Sequence, residues 1–133
     1  MFNTRTRIRF HDCDPAGILF FGRVYELCHF AYEEMIAGFD LNENYWDNEE
    51  YIVPIIRSEA HYHLPMKHGE EISISIAVKT LKASSFELEY LLTNADNAEC
   101  VQVNTVHVFV DKSSWKKKAM SKEIFEGLKN HLA

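Results

Sequence analysis

HDCDPAGILFFG, residues His11 to Gly22, joins an alternating, strand-like stretch to a strongly helical one. It sets two carboxylates, Asp12 and Asp14, beside a Pro15-Ala16-Gly17 turn. Such a pair either caps the turn, because aspartate side chains accept hydrogen bonds from nearby backbone amides, or it does chemistry. The second reading has a physical basis. A helix N-terminus offers unpaired N–H groups to a developing oxyanion, and a carboxylate ahead of it supplies a base or a nucleophile.

Upstream, Thr4, Thr6, Ile8 and Phe10 share one face and Arg5, Arg7 and Arg9 the other, which predicts a half-buried strand with a basic outer face. Downstream, Val24, Leu27, Cys28, Ala31 and Met35 recur at helical spacing and predict a helix over Arg23 to Ala37, stopped by Gly38. Phe20, Phe21, Phe30 and Ile36 broaden its apolar surface beyond one stripe, so the helix is expected to be largely buried. Tyr25, His29 and Tyr32 form a second, semi-polar stripe suited to packing on a sheet or a partner subunit. Asp40 to Glu50 holds five carboxylates and no Lys or Arg around Tyr45 and Trp46; it reads as a solvated loop or as a lid with an aromatic clasp.

From Ile55 the period becomes two. Ile56, Ser58, Ala60, Tyr62 and Leu64 oppose Arg57, Glu59, His61 and His63, until Pro65 ends the run. Ile72, Ile74, Ile76 and Val78 mark a second strand, and Phe86, Leu88, Tyr90 and Leu92 a third, joined through Thr80 to Ser85. Val101 and Val103 share a parity that Val106, Val108 and Val110 break, which predicts a β-bulge near Asn104-Thr105. Ser121 to Leu132 reads as a short amphipathic helix capped by Ser121. One strand, one long helix and four more strands predict a curved sheet wrapped around the helix. Ala77, Leu91 and Val106 would lie on its outer face and favour subunit pairing.

A chain of 133 residues with 47% apolar and 26% charged residues is expected to form one globular domain, 1–133. Its net charge of −6 argues against nucleic acid as a partner; the one basic run is Lys116 to Lys118. No apolar run reaches membrane-spanning length and the N-terminus lacks a signal-peptide core, so no membrane association is expected. Three widely spaced cysteines, Cys13, Cys28 and Cys100, suit free thiols in a reducing compartment, so the expected location is cytoplasmic. Rival chemistries find little support. His61 and His63 sit two apart on one strand face, but the sequence places no third metal ligand, and no metal is expected. Cys13 lacks an assigned histidine partner, and no glycine-rich phosphate loop occurs.

Asp12-Cys13-Asp14-Pro15-Ala16-Gly17, followed by Phe20 and Phe21 at the step into the helix, resembles the Asp-x-Asp-x-x-Gly motif of hot-dog-fold acyl-CoA thioesterases of the 4-hydroxybenzoyl-CoA thioesterase type. The resemblance runs from about Arg5 to about Lys118. Leu27 to Glu33, Leu64-Pro65 with Gly69-Glu70, and Lys82-Ala83-Ser84-Ser85 are similar to the branch that hydrolyses 1,4-dihydroxy-2-naphthoyl-CoA on the route to naphthoquinones such as menaquinone.

The resemblance implies an α+β hot-dog fold: a five-stranded antiparallel sheet around a long central helix, plus a short C-terminal helix. It implies hydrolysis of an acyl-CoA, with an aromatic acyl group, to free acid and CoA. Asp14 would be the essential carboxylate, and the oxyanion donor would fall at Phe21, beside Gly22, which stands where the family carries a proline. Gly17, Phe20, Tyr25, Lys82, Ser84 and Lys117 are the candidate substrate contacts, with Lys82 and Lys116 to Lys118 placed for the CoA phosphates. No cofactor is implied, since CoA is part of the substrate. A homodimer or homotetramer is implied, with Ile56 to His63 of one chain near Asp14 of another. The chemistry fits independently: a thioester carbonyl is electrophilic, so hydrolysis needs polarisation and an oxygen nucleophile. Asp14 either activates water or attacks directly to form a mixed anhydride, while Asp12 reads as a turn or N-cap acceptor that stiffens the loop. Two other readings keep the fold: a broad short- or medium-chain acyl-CoA thioesterase, and a non-catalytic acyl-CoA-binding module.

Overall fold

Alternation builds the sheet and a helical stripe covers it. The computed structural model describes residues Met1–Ala133. In chain order the elements are β1 (Phe2–Arg7), a single 3-10 turn (Phe10–Asp12), α1 (Arg23–Ala37), β2 (Tyr51–Ile52), β3 (Ile55–Tyr62), β4 (Glu71–Leu81), β5 (Ser85–Thr93), β6 (Glu99–Val108), β7 (Val110–Asp111) and α2 (Lys122–Lys129). Five strands form one antiparallel sheet in the order β1-β4-β5-β6-β3, so β1 and β3 are its edges. Ile72, Ile74, Ile76 and Val78 of β4 and Phe86, Leu88, Tyr90 and Leu92 of β5 are all buried, as the period of two predicts. They meet Val24, Leu27, Cys28, Ala31, Met35 and Ile36 of α1 in one core. Each fully buried large side chain of this set contributes roughly 1.5–3 kcal/mol. At the far end Ser121 caps α2, its hydroxyl accepting from the Ile124 N–H at 3.2 Å. Ile124 and Leu128 bury their side chains in the same core.

Several expectations are corrected. β1 stops at Arg7; Ile8 is buried, but Phe10 enters the 3-10 turn and is exposed. α1 has the expected ends but is not largely buried, because the sheet covers only one of its sides. Ile36 is in the core, whereas Phe20, Phe21 and Phe30 are exposed. The Tyr25, His29, Tyr32 stripe splits: Tyr32 is buried, with its hydroxyl bonded to that of Tyr45, while Tyr25 reaches solvent. Buried Tyr45 also pins the acidic loop, and Tyr51 Oη donates to Glu43 Oε2 at 2.8 Å. The loop is otherwise solvated along most of its length, as one of the two readings has it, with Tyr45 as its buried anchor. It leads into the β2–β7 ribbon, whose two-residue strands are too short for any period to reveal.

β6 has no bulge at Asn104-Thr105. It runs in register against β5 from Val108 opposite Ser85 to Val101 opposite Leu92. Its inner face is Val101, Val103, Thr105 and His107, and the valine parity change merely marks where that face turns polar. Thr105 Oγ1 and His107 Nε2 satisfy each other at 2.7 Å. Irregular register occurs instead at Leu92/Thr93, Val78/Thr80 and Ile55/Arg57. The outer face is more polar than expected: beside Leu91 and Val106 it carries Asn104, whose amide donates to Glu87 Oε2 at 3.0 Å.

Candidate active site

The turn at Asp14 is built by its own backbone. The Asp14 N–H donates to the Ile18 carbonyl at 2.9 Å, and the Gly17 N–H donates to the Asp14 carbonyl at 2.9 Å. Gly17 takes φ +82°, a left-handed conformation that costs an ordinary L-residue about 1–2 kcal/mol. The Ala16 N–H donates to Asp14 Oδ1 at 2.8 Å. Asp14 Oδ2 has no partner within the chain and stays free to act.

The chain then enters α1 through Gly22, which caps it with no side-chain hydrogen bond. The Arg23 N–H donates to the Phe20 carbonyl at 2.9 Å and the Val24 N–H to the Phe21 carbonyl at 3.3 Å. The N–H groups of Phe21 and Gly22 donate to no group in the chain, as the first amides of a helix do when nothing caps them. Gly22 also leaves room for its neighbour, since a Cβ there would stand 3.1 Å from the Phe20 ring.

Asp14 and Phe21 open onto a cavity of about 340 Å³. Tyr62, His63, Leu64 and Pro65, at and beyond the end of β3, also line it. Most of the lining is apolar, which weakens solvent competition for a bound carbonyl.

Asp12 is separated from this chemistry. Its Oδ1 lies 3.1 Å from His11 Nε2 and 3.8 Å from Arg23 Nε, and its carbonyl accepts the Phe20 N–H at 2.9 Å. The expected turn or N-cap role is not seen: its carboxylate accepts no backbone amide and does not cap α1, and it is held by main-chain and side-chain contacts instead.

Residues 8–128 match the model of the thioesterase-like superfamily. The chain belongs to this superfamily. Among its relatives, the 1,4-dihydroxy-2-naphthoyl-CoA hydrolase of Trichodesmium erythraeum is 32% identical over 126 residues, spanning 92% of this chain and 91% of that protein. The hydrolase of the same name from Nostoc punctiforme is 30% identical over 131 residues, spanning 98% and 88%. Among solved structures, a 1,4-dihydroxy-2-naphthoyl-CoA thioesterase from Synechocystis superposes with a TM-score of 0.90 at 19% identity, over 97% of this chain and 96% of that one. At that identity the superposition speaks for the fold, and the fold is the hot-dog expected from the motif. The expectation of a thioester hydrolase stands at the level of the family.

Within this thioesterase-like chain the expected site residues fall into two groups. Asp14, Gly17, Phe20, Phe21 and Gly22 lie together on the turn and the helix start, the Phe20 and Phe21 rings 4.8 Å apart. Tyr25 is on α1 but outside the cavity lining. Lys82, Ser84 and Lys117 lie at the other end of the sheet. Lys82 and Ser84 are in the β4–β5 hairpin, the Ser84 carbonyl accepts the Phe109 N–H at 2.8 Å, and Lys117 bridges to Val110. Along β6, the cavity residue Val101 and the hairpin neighbour Val108 are separated by about 23 Å, at roughly 3.3 Å per residue. One chain does not bring these lysines to Asp14.

The resemblance implies Ile56 to His63 near Asp14 of another chain, and two residues of that stretch reach the site within their own chain. Tyr62 Oη donates to the Phe21 carbonyl at 2.9 Å across 41 residues of chain. His63 lines the cavity together with Asp14 of its own chain. His61 is exposed, 3.8 Å from Glu59, and no group of three His, Cys, Asp or Glu side chains is placed to hold a metal ion. Cys13 turns its thiol to the Arg9 carbonyl at 3.5 Å. No helix is long and apolar enough to cross a membrane.

Proposed function

We propose that this protein hydrolyses an aromatic acyl-CoA of the 1,4-dihydroxy-2-naphthoyl class to the free acid and CoA. One observation carries the reading: Asp14, with its Oδ2 free, and Phe21 line one apolar cavity, and the N–H groups of Phe21 and of the adjoining Gly22 have no acceptor in the chain. The thioester carbonyl oxygen takes its hydrogen bonds from those amides. Asp14 then draws a proton from an attacking water, or attacks the carbonyl carbon itself. Collapse of the tetrahedral oxyanion breaks the C–S bond and releases the CoA thiolate, which takes up a proton. On the second route water cleaves the mixed anhydride to give the free acid and restore Asp14. One well-aimed oxyanion donor is worth about 2.7–4 kcal/mol of barrier, so two amides supply a large share of the rate. The names of the curated relatives support the acyl class.

The working unit is a homodimer. β3 is an edge strand whose Ile55, Ile56 and Tyr62 are exposed, and the exposed Leu64 follows it. Antiparallel pairing of two such edges sets the Ile55 end of one chain beside the Tyr62 end of the other. The Lys82, Ser84 and Lys117 end of one subunit then faces the Asp14 turn of its partner, within reach of the CoA phosphates. All three cysteines are free thiols, which fits a reducing, cytoplasmic setting.

The test follows CoA thiol release from 1,4-dihydroxy-2-naphthoyl-CoA, benzoyl-CoA and hexanoyl-CoA. The aryl substrates should lead in kcat/KM, and a clear preference for hexanoyl-CoA would refute the acyl assignment. Asp14→Asn should lower kcat by about 10²–10⁴-fold with an unchanged circular dichroism spectrum. Near wild-type turnover by that variant would remove Asp14 from the mechanism.

A further inference from the structure

The Phe21 carbonyl and the Gly22 amide are two ends of one peptide plane. The chain has no cis peptide bond, and in a trans unit the C=O and N–H point in opposite directions. Holding the carbonyl therefore aims the amide. The Phe21 carbonyl accepts from two donors only: the Val24 N–H at a long 3.3 Å, and Tyr62 Oη at 2.9 Å. Gly22 has no Cβ to limit rotation of this unit, and no side chain caps the helix there. Without the phenol, the plane that carries a candidate oxyanion donor rests on one long hydrogen bond.

The geometry points to Tyr62 as a positioning residue for the oxyanion hole. It clamps the Phe21–Gly22 peptide from the end of β3, so that the Gly22 N–H faces the space in front of α1 that Asp14 borders. A role as proton donor to the substrate is disfavoured, because a phenol has one hydrogen and this one is engaged by the Phe21 carbonyl. Burial, followed by the proximity of Tyr25 and Cys28, raises the pKa of Tyr62, so the phenol keeps its proton at neutral pH. The clamp ties the catalytic end of the helix to the strand expected to form the subunit interface, so oxyanion geometry and pairing of β3 are coupled. The inference rests on the thioester-hydrolysis reading of this site.

Tyr62→Phe removes the hydroxyl and keeps the ring. It should lower kcat by about 10- to 100-fold, less than outright loss of a donor, and leave KM within about twofold. A purely structural role would not move the carbonyl stretch of a bound thioester. In the Asp14→Asn background, which blocks turnover, infrared difference spectra of bound benzoyl-CoA should show that stretch shifted to lower frequency, and adding Tyr62→Phe should shrink the shift. Replacement of Tyr62 by 3-fluorotyrosine, similar in shape and a stronger donor, should hold or raise kcat and guards against a folding defect in the Phe variant. If Tyr62→Phe keeps wild-type kcat and the full carbonyl shift, or if 3-fluorotyrosine loses as much as Phe, the positioning role is wrong. If the wild-type enzyme cleaves none of the acyl-CoA substrates, the reading of the site fails first and this inference goes with it.

Discussion

Asp12 and Asp14 are two residues apart, and their neighbours assign them different work. Asp14 keeps one oxygen on the Ala16 amide and the other free, whereas Asp12 is held beside His11 and Arg23. The motif identified the pair, and only the contacts separate them. His107 shows the opposite case, a chemistry-bearing residue with no motif. It is fully buried, stacked 4.6 Å from Phe86 and bonded through Nε2 to Thr105, while its Nδ1 has no partner. Burial, and then the nearby His29, push its pKa down to about 3. An unfolded histidine titrates near 6.5. Between those values the unfolded chain gains a proton that folded His107 refuses, so stability is intact above about pH 6.5 and falls as the pH drops toward 3. The slope is at most about 1.4 kcal/mol per pH unit. His131 is also shifted down, chiefly by burial, and adds to the same trend. Urea unfolding at pH 7, 6, 5 and 4 should therefore show a shallower loss for His107→Gln than for wild type. Equal slopes would exclude His107 as a source of acid lability.

The long helix was legible because its apolar positions repeat over fifteen residues, and repetition averages out local exceptions. The valine parity of β6 misleads because two polar side chains, Thr105 and His107, continue its inner face and satisfy each other there. No single-residue hydropathy anticipates that pairing. α2 docks differently. Gly127 packs so closely on Phe39 that a Cβ would sit 2.7 Å from the ring, and ring atoms near the root of the side chain are also within 3 Å. Alanine improves helix propensity by up to about 1 kcal/mol over glycine, but overpacking costs about 1–3 kcal/mol. Gly127→Ala should thus lower the melting temperature by a few degrees, although an isolated α2 would favour the alanine. A rise in melting temperature would show that the Phe39 ring yields freely.

A single five-stranded sheet can cover one side of α1 and cannot close its own edges. Phe21, Phe30, Ile55 and Ile56 therefore remain on the surface of the isolated chain. An exposed apolar edge strand invites strand pairing, and pairing at β3 would also unite the two groups of expected site residues. Sedimentation velocity should find a dimer at micromolar concentration. Ile56→Glu, at a side chain 63% exposed in the monomer, should leave the fold intact, release monomer and depress hydrolysis. A wild-type monomer with full activity would overturn the shared site.

Local order was written in the chain itself. Periods of two and 3.6 placed the five strands of the main sheet and both helices, and the turn chemistry of Asp14 to Gly17 marked the candidate site, because each depends on residues a few positions apart. Three things waited for the folded chain: the reach of Tyr62 to the Phe21 carbonyl, the cavity lining supplied after β3, and the inward face of His107. Each depends on segments tens of residues apart meeting in a register that the cooperative packing of strands and helix selects, and no local pattern of residues encodes that meeting.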